Sequence, residues 1–291
     1  MYEKYRKPLF SLAYRMTGSV MDAEDIVQEA FVAYGQLPDP GDIRNERAFL
    51  YKIVTNRCLD LLRSSARQRE LYVGPWLPEP LMDDASAASE DPSEAYMRRE
   101  SLSTAYLLLL QQLGAVERAV FLLREIFGYA YDEIAGMVGK SEANCRQIYR
   151  RARGSIHYDP SRSPAVDVAD RQIKRFVGAL AQGDTGTLLE LLSDNVVFLS
   201  DGGGKVMAAQ KPVAGVRAVA QLLQNLLRMY EGKFTLSFHN VNGLPGIRLV
   251  VEERLQYIYS FDFAGEQIGN IYAIANPDKL KHVPIEDRDL P

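Results

Sequence analysis

The side chains with the clearest chemical purpose lie in Tyr131 to Arg153, YDEIAGMVGKSEANCRQIYRRAR. From Lys140 to Arg153 five Lys or Arg stand against one acid, Glu142. Asn and Gln side chains can pair with adenine edges and Arg with guanine, each good pair giving about 1–3 kcal/mol of discrimination. Ser141, Asn144, Arg146, Gln147, Arg150, Arg151 and Arg153 are therefore candidate DNA contacts. A solvated face of an ordinary bundle would also be charged, but the same stretch holds a glycine break at Gly139, an N-cap signal at Ser141 and an apolar stripe of Cys145, Ile148 and Ala152. Turn, cap, stripe and basic face together are what a helix-turn-helix requires.

Catalytic chemistry is far less well supported. His239, Asp194, Asp201 and Asp262 are the candidate acids and bases of the C-terminal part, yet none has a partner at a telling spacing, and a lone His in a strand is more often structural. Cys58 and Cys145 stand 87 positions apart with no metal-ligand spacing around them, and read as small buried thiols. The sequence thus predicts no catalytic residue, no metal, no cofactor and no enzyme.

These groups need scaffolds, and three are legible. Up to about Arg69 the chain reads as helices. Tyr5, Leu9, Leu12 and Met16 mark the first; Ser19 and Asp22 cap the next, DAEDIVQEAFVAY, which turns Asp22, Glu24, Asp25 and Glu29 outward. A long helix from Arg47 is expected to carry Phe49, Leu50, Ile53, Val54, Leu59 and Leu62 inward. From Arg44 to Arg69 seven Lys or Arg oppose Glu46 and Asp60, with Tyr51 expected at the surface, a mix suited to an unstacked strand. The segment from Leu71 onward is proline-rich, then acidic, and holds the only tryptophan in WLPEP. It predicts a docked linker, because an exposed Trp seeks a partner. Helices resume near Ser93 and lead to the helix-turn-helix.

After a polar break at Tyr158 to Pro164 the pattern becomes mixed. Helices are expected over Val166–Leu180, Thr187–Leu192 and Val216–Met229, with strands at Val196–Leu199, Thr235–Asn240, Arg248–Phe263 and Gln267–Ala275. This is an α+β cone with a curved antiparallel sheet, followed by a tail with no core of its own. A chain of 291 residues with 47% hydrophobic and 25% charged residues suits two to three folded domains. Its net charge of -4 means that the basic helices are local features. Neither a signal peptide nor a membrane span is apparent, so a soluble, cytoplasmic protein is expected.

The whole chain resembles a bacterial extracytoplasmic-function (group IV) RNA polymerase sigma factor carrying a fused C-terminal SnoaL-like domain. The first unit resembles sigma region two through DAEDIVQEAF and AFLYKIVTNRCLDLLR. The second resembles region four through YDEIAGMVGKSEANCRQIYRRAR, and the third a member of the NTF2-like superfamily. WLPEP, DGGGK (Asp201 to Lys205) and NPDKL (Asn276 to Leu280) are typical of the fused subtype. The expected division is residues 1–70 and 95–158 for two all-α units, 71–94 and 159–166 for linkers, 167–275 for the cone and 276–291 for the tail.

The resemblance implies an alternative sigma factor that binds core RNA polymerase and directs promoter recognition and transcription initiation. It places Asp22, Glu24, Asp25, Gln28 and Glu29 on the β′ clamp helices, with the β flap as a further polymerase contact. Asn56, Arg57, Arg63, Arg67 and Arg69 would meet the melted minus-ten element, and Arg146, Gln147 and Arg150 the minus-thirty-five element. It further implies that the third domain is a built-in regulator making a separate anti-sigma factor unnecessary. Trp76, Leu77, Pro78, Asp201, Gly202, Gly203, Gly204, Lys205, Asn276, Pro277, Asp278, Lys279 and Leu280 would be interdomain contacts, with Lys205 and Lys279 expected to meet the acids of the linker. Two alternatives stand beside it: a metabolite-sensing helix-turn-helix regulator whose third domain binds a small-molecule ligand, and a cyclase- or isomerase-like enzyme with helical appendages.

Overall fold

Helix α1 (Tyr2–Thr17) ends where Gly18 turns left-handed at φ 72°, and α2 (Val20–Gly35) begins at once, its N-cap Ser19 accepting from the Asp22 amide at 3.1 Å. With α3 (Glu46–Glu70) they form a three-helix packing whose buried centre includes Leu9, Leu12, Ile26, Leu50, Val54 and Cys58. The computed structural model describes residues 1–37, 43, 45–82, 102–156, 164–252 and 254–283, without the side chains of residues 67–69. The acidic part of the linker, most of the YDPSRSP break and the end of the tail lie outside the described residues.

Chain contacts divide the protein into two units, Met1–Leu71 with Leu107–Tyr158, and Tyr72–Tyr106 with Asp159–Pro291. The first unit adds α5 (Ala115–Glu125), α6 (Tyr131–Val138) and α7 (Glu142–Ser155) to α1–α3, and the short α4 (Thr104–Gln111) spans the division. Burial raises the thiol pKa of both free cysteines, Cys58 and Cys145, above its usual value, so neither is a reactive thiolate.

The second unit is an α+β cone. Helices α8 (Val166–Gln182), α9 (Thr185–Leu191) and α10 (Val216–Met229) pack with a six-stranded sheet of order β2-β1-β6-β5-β4-β3. The strands are β1 (Leu192–Asp201), β2 (Val213–Ala214), β3 (Phe234–Val241), β4 (Leu244–Val251), β5 (Leu255–Ala264) and β6 (Gln267–Ile274). Phe176 of α8 meets Phe261 of β5 edge-on at 6.0 Å within the core.

Two expectations need correction. The sheet is mixed: β1 runs parallel to β6, while the other pairs are antiparallel. The expected single strand Arg248–Phe263 is a hairpin, broken near Glu252, whose φ is 50°. Pairing of Leu249 with Tyr257 and of Val251 with Leu255 keeps those residues on one face, so the face was right although the strand count was not.

Candidate functional site

The helix-turn-helix forms as its residue types dictate. Helix α6 stops at Gly139, left-handed at φ 65°, and α7 starts with Ser141 accepting from the Asn144 amide at 3.3 Å. Cys145, Ile148 and Ala152 are buried, which leaves Ser141, Asn144, Arg146, Gln147, Arg150, Arg151 and Arg153 exposed on the other faces. Arg146 pairs with Glu142 and lies over the Tyr131 ring at 5.0 Å. Arg151 turns back toward Glu117 at 3.7 Å and is thereby drawn toward α5. Tyr131, Arg146, Tyr149, Arg150 and Arg153 line one shallow cleft, a cationic surface with aromatic rings.

In the three-helix part, Glu24, Asp25, Gln28 and Glu29 are exposed on α2 and Asp22 is half-buried at its first turn. Asn56, Arg57 and Arg63 are exposed on α3; Arg67 and Arg69 fall among the undescribed side chains. Arg57 bridges to Glu29 at 3.2 Å, joining a candidate DNA contact to a candidate polymerase contact; both ends are more than half exposed, so the pair contributes little to stability. Tyr51 is not at the surface. It is 2% exposed and packs against Phe127 and Tyr129, so it offers no stacking platform.

That burial marks where the two helical modules meet within the first unit. Arg47 lies over the Tyr129 ring at 4.7 Å and donates to the Phe127 carbonyl at 2.9 Å. The buried Arg118 of α5 donates to the Met16 carbonyl at the C-terminal end of α1, where the helix dipole favours a cation. Sequence reasoning missed both residues, since neither stands in a motif.

The second unit contains a clasp that gathers the three short motifs. Asp201 ends β1 with its side chain fully buried, and Lys279 pairs with it at 2.7 Å. The carboxylate also accepts from the Tyr72 hydroxyl, from the Leu77 amide at 2.8 Å and from the Gly203 amide at 3.1 Å. Lys279 donates in addition to the Leu77 carbonyl and sits under the Trp76 ring at 3.7 Å. Burial and the Asp201 carboxylate raise the Tyr72 phenol pKa, which keeps it a neutral donor. A buried ion pair is tolerated only when its remaining donors and acceptors are met, and here they are.

Around this centre, Asn276 donates to the Tyr72 hydroxyl at 2.8 Å, and Lys205 pairs with Asp278 at the surface. Gly203, at φ 58°, lies so close to the Asn276 amide that a Cβ would collide with it. Gly204 lets Val73 approach, a Cβ there standing 3.2 Å from it. Gly202 and Leu77 are buried, Trp76 is half-buried, and Pro78 continues the docked segment.

The described part of the linker is docked on the cone, as Trp76 predicts, with Trp76 over Lys279 and the Leu77 backbone held by Asp201 and Lys279. Lys279 pairs with Asp201 and Lys205 with Asp278, while residues 83–101, which carry most of the linker acids expected to meet these lysines, lie outside the described residues. The tail is also no loose end as far as Val283: Pro277–Leu280 forms a 3-10 turn, Leu280 is buried, and His282 bonds the Pro80 carbonyl at 2.8 Å.

Asn242, which sequence reasoning did not single out, holds the linker twice. Its amide donates to the Leu81 carbonyl at 2.7 Å, and its side chain accepts from the Leu81 amide and donates to the Leu102 carbonyl at 3.0 Å. It occupies the turn between β3 and β4 at φ 54°, followed by Gly243, and Asn-Gly between apolar runs is the signal that could have found it. Thr104 adds a bond to Ser260 at 2.7 Å.

The acid and base candidates are scattered. Asp201 belongs to the clasp, Asp194 is exposed, Asp262 bonds Asn270 at 3.1 Å, and His239 bonds Ser237 at 2.9 Å. None lines the cavity enclosed by the cone. Among the described residues, no group of three or more His, Cys, Asp or Glu is placed to hold a metal, and no helix is long and apolar enough to cross a membrane.

Comparison with known proteins agrees with these two modules. Residues 1–68 match Sigma-70 region 2 and residues 103–156 match Sigma-70, region 4. The chain belongs to the ECF RNA polymerase sigma factors, and is an alternative sigma factor that acts with core RNA polymerase at promoter DNA. In particular it is similar to ECF RNA polymerase sigma factor SigJ of Mycobacterium tuberculosis (strain ATCC 25618 / H37Rv), with 35% identity covering 99% of this chain and 94% of that protein. It is also 32% identical to the probable ECF RNA polymerase sigma factor SigI of Mycobacterium tuberculosis (strain CDC 1551 / Oshkosh), over 96% of this chain and 93% of that one. The crystal structure of Mycobacterium tuberculosis SigJ superposes with a TM-score of 0.79 and 31% identity, covering 98% of this chain and 99% of that one.

Proposed function

We propose that the cone regulates this sigma factor from within by holding the linker between its two DNA-reading modules, in place of a separate anti-sigma protein. The observation that supports this most is the clasp: Lys279 and Asp201 fix the Leu77 backbone through both its amide and its carbonyl. A linker so held cannot pay out freely. Promoter elements at minus ten and minus thirty-five are separated by on the order of 80 Å of duplex at about 3.4 Å per base pair. The two modules instead pack together through Arg47, Tyr129 and Arg118, and must part to engage both elements.

In the parted state, Arg146, Gln147 and Arg150 read base edges, while Ser141, Asn144, Arg151 and Arg153 serve the phosphates. Asn56, Arg57, Arg63, Arg67 and Arg69 hold the melted strand. Glu24, Asp25, Gln28 and Glu29, with Asp22 at the helix start, face the polymerase β′ clamp helices, and the β flap is the second polymerase contact. Binding through two linked modules gains avidity that neither has alone.

The test is transcription in vitro with core polymerase, using the full chain, a chain ending before Asn276 and a chain ending before Val166. Removal of Lys279 with the tail should change initiation relative to the full chain. Identical activity at all three lengths would overturn regulation by the cone.

A further inference from the structure

The cone encloses a cavity of about 350 Å³ that the clasp does not use. None of its lining residues carries a charge; Phe176, Leu223, Leu226, Leu236, Ile247 and Ile271 are representative of its walls. Polar atoms at its wall are few. Ser200 is engaged with Ala209, whose amide donates to its hydroxyl at 2.7 Å. Tyr257 stacks beside Tyr259 at 6.2 Å and interacts with Tyr230. The Tyr259 hydroxyl, by contrast, has no hydrogen-bond partner among the described residues, and its side chain is only partly buried where it lines the cavity.

Two methionines stand at the edge of this cavity, Met207 at 65% and Met229 at 53% exposure. Flexible thioether chains suit a mouth that must yield to an incoming apolar molecule. Scaling from the roughly 150 Å³ filled by one benzene, the space takes a molecule of about 14 non-hydrogen atoms.

From these features we propose that the cavity is a binding site for a neutral, largely apolar small molecule with a single hydroxyl or carbonyl group, which hydrogen-bonds to Tyr259. The absence of charge in the lining selects against a carboxylate or an amine, because an ion brought there would lose its hydration with no counter-charge. Burial raises the Tyr259 phenol pKa, so it meets the ligand as a neutral donor or acceptor. Ser200, at the cavity wall, directly precedes Asp201 of the clasp on β1, and the segment Val206–Gln210 that carries Met207 follows Lys205. The site therefore shares a strand with the clasp, yet the assignment holds whether or not the clasp regulates transcription.

The experiment titrates the full chain with the neutral fluorophore N-phenyl-1-naphthylamine, then competes it with dodecanol, dodecanoate or dodecylamine. Saturable binding at one site per chain is expected, with dodecanol displacing the probe at least about tenfold better than either ion, a difference of roughly 1.4 kcal/mol. Leu226→Trp and Ala209→Phe, which fill the cavity from a helix and from the loop, should each weaken probe binding about tenfold or more. A thermal melt identifies whichever variant stays folded, and that variant is the one read. Tyr259→Phe should retain the probe but lose the preference for dodecanol over dodecane. Probe binding that does not saturate, that folded filled variants leave unchanged, or that the ions displace as well as the alcohol would overturn the assignment. So would a Tyr259→Phe protein with its alcohol preference intact.

Discussion

Lys279 and Asp201, 78 positions apart in sequence, form an ion pair of 2.7 Å with side chains only 7% and 0% exposed. Breaking one side of such a pair leaves the other charge buried. Lys279→Met should destabilise the second unit by about 3–5 kcal/mol in denaturant unfolding. The double variant Asp201→Leu with Lys279→Met should recover part of that loss. Hydrogen exchange at the Leu77 amide, which donates to Asp201, should accelerate in both.

Gly203 tests the closeness of the turn. At φ 58° and against the Asn276 amide, Gly203→Ala incurs both backbone strain and a collision, expected to cost about 1–3 kcal/mol. The melting temperature should fall by several degrees. Gly232→Ala, at φ 72° with open space around it, carries the strain alone and should be the milder change.

Acid should loosen the outer edge of the clasp. The hydrogen bond from Lys205 holds the Asp278 carboxyl below the usual Asp value. Because the folded-state pKa is the lower one, this stabilisation is complete above about pH 4 and disappears as pH falls through the folded value. Melting temperatures between pH 5 and pH 3 should decline less steeply in Asp278→Asn than in the parent chain. Between pH 5 and pH 8 this pair should add no slope.

On α7 the two kinds of DNA contact can be separated. Arg153→Ala should weaken all promoters alike and reduce the salt slope by about 1, as loss of a phosphate contact does. Arg146→Ala should cost about 1–3 kcal/mol at one promoter position if it reads a base. Glu142→Gln releases Arg146 from its intrahelical pair and should tighten binding at low salt.

Much of this was legible beforehand because it is local. Ser19, Ser141, Gly18 and Gly139 set helix ends through their own backbone, and the stripe Cys145, Ile148, Ala152 declares its buried face by spacing. Long-range features were not. Nothing near Lys279 indicates that its partner is Asp201, because both ends of a salt bridge look like surface charges until the fold removes the water. Tyr51 resembled an exposed ring beside basic residues, and only α6 and the segment before it explain its burial. The parallel pairing of β1 with β6 similarly depends on a crossover through the rest of the cone, which alternation along one strand cannot encode.

Asn242 grips the chain on both sides of the acidic stretch, at Leu81 and again at Leu102. Both of these moorings are made by the turn between β3 and β4, and a segment tied at its two ends gains only about 0.6 kcal/mol of closure cost per doubling of its length. This makes the acidic stretch a natural place to graft a reporter or a cleavage site, since both of its moorings belong to the same body.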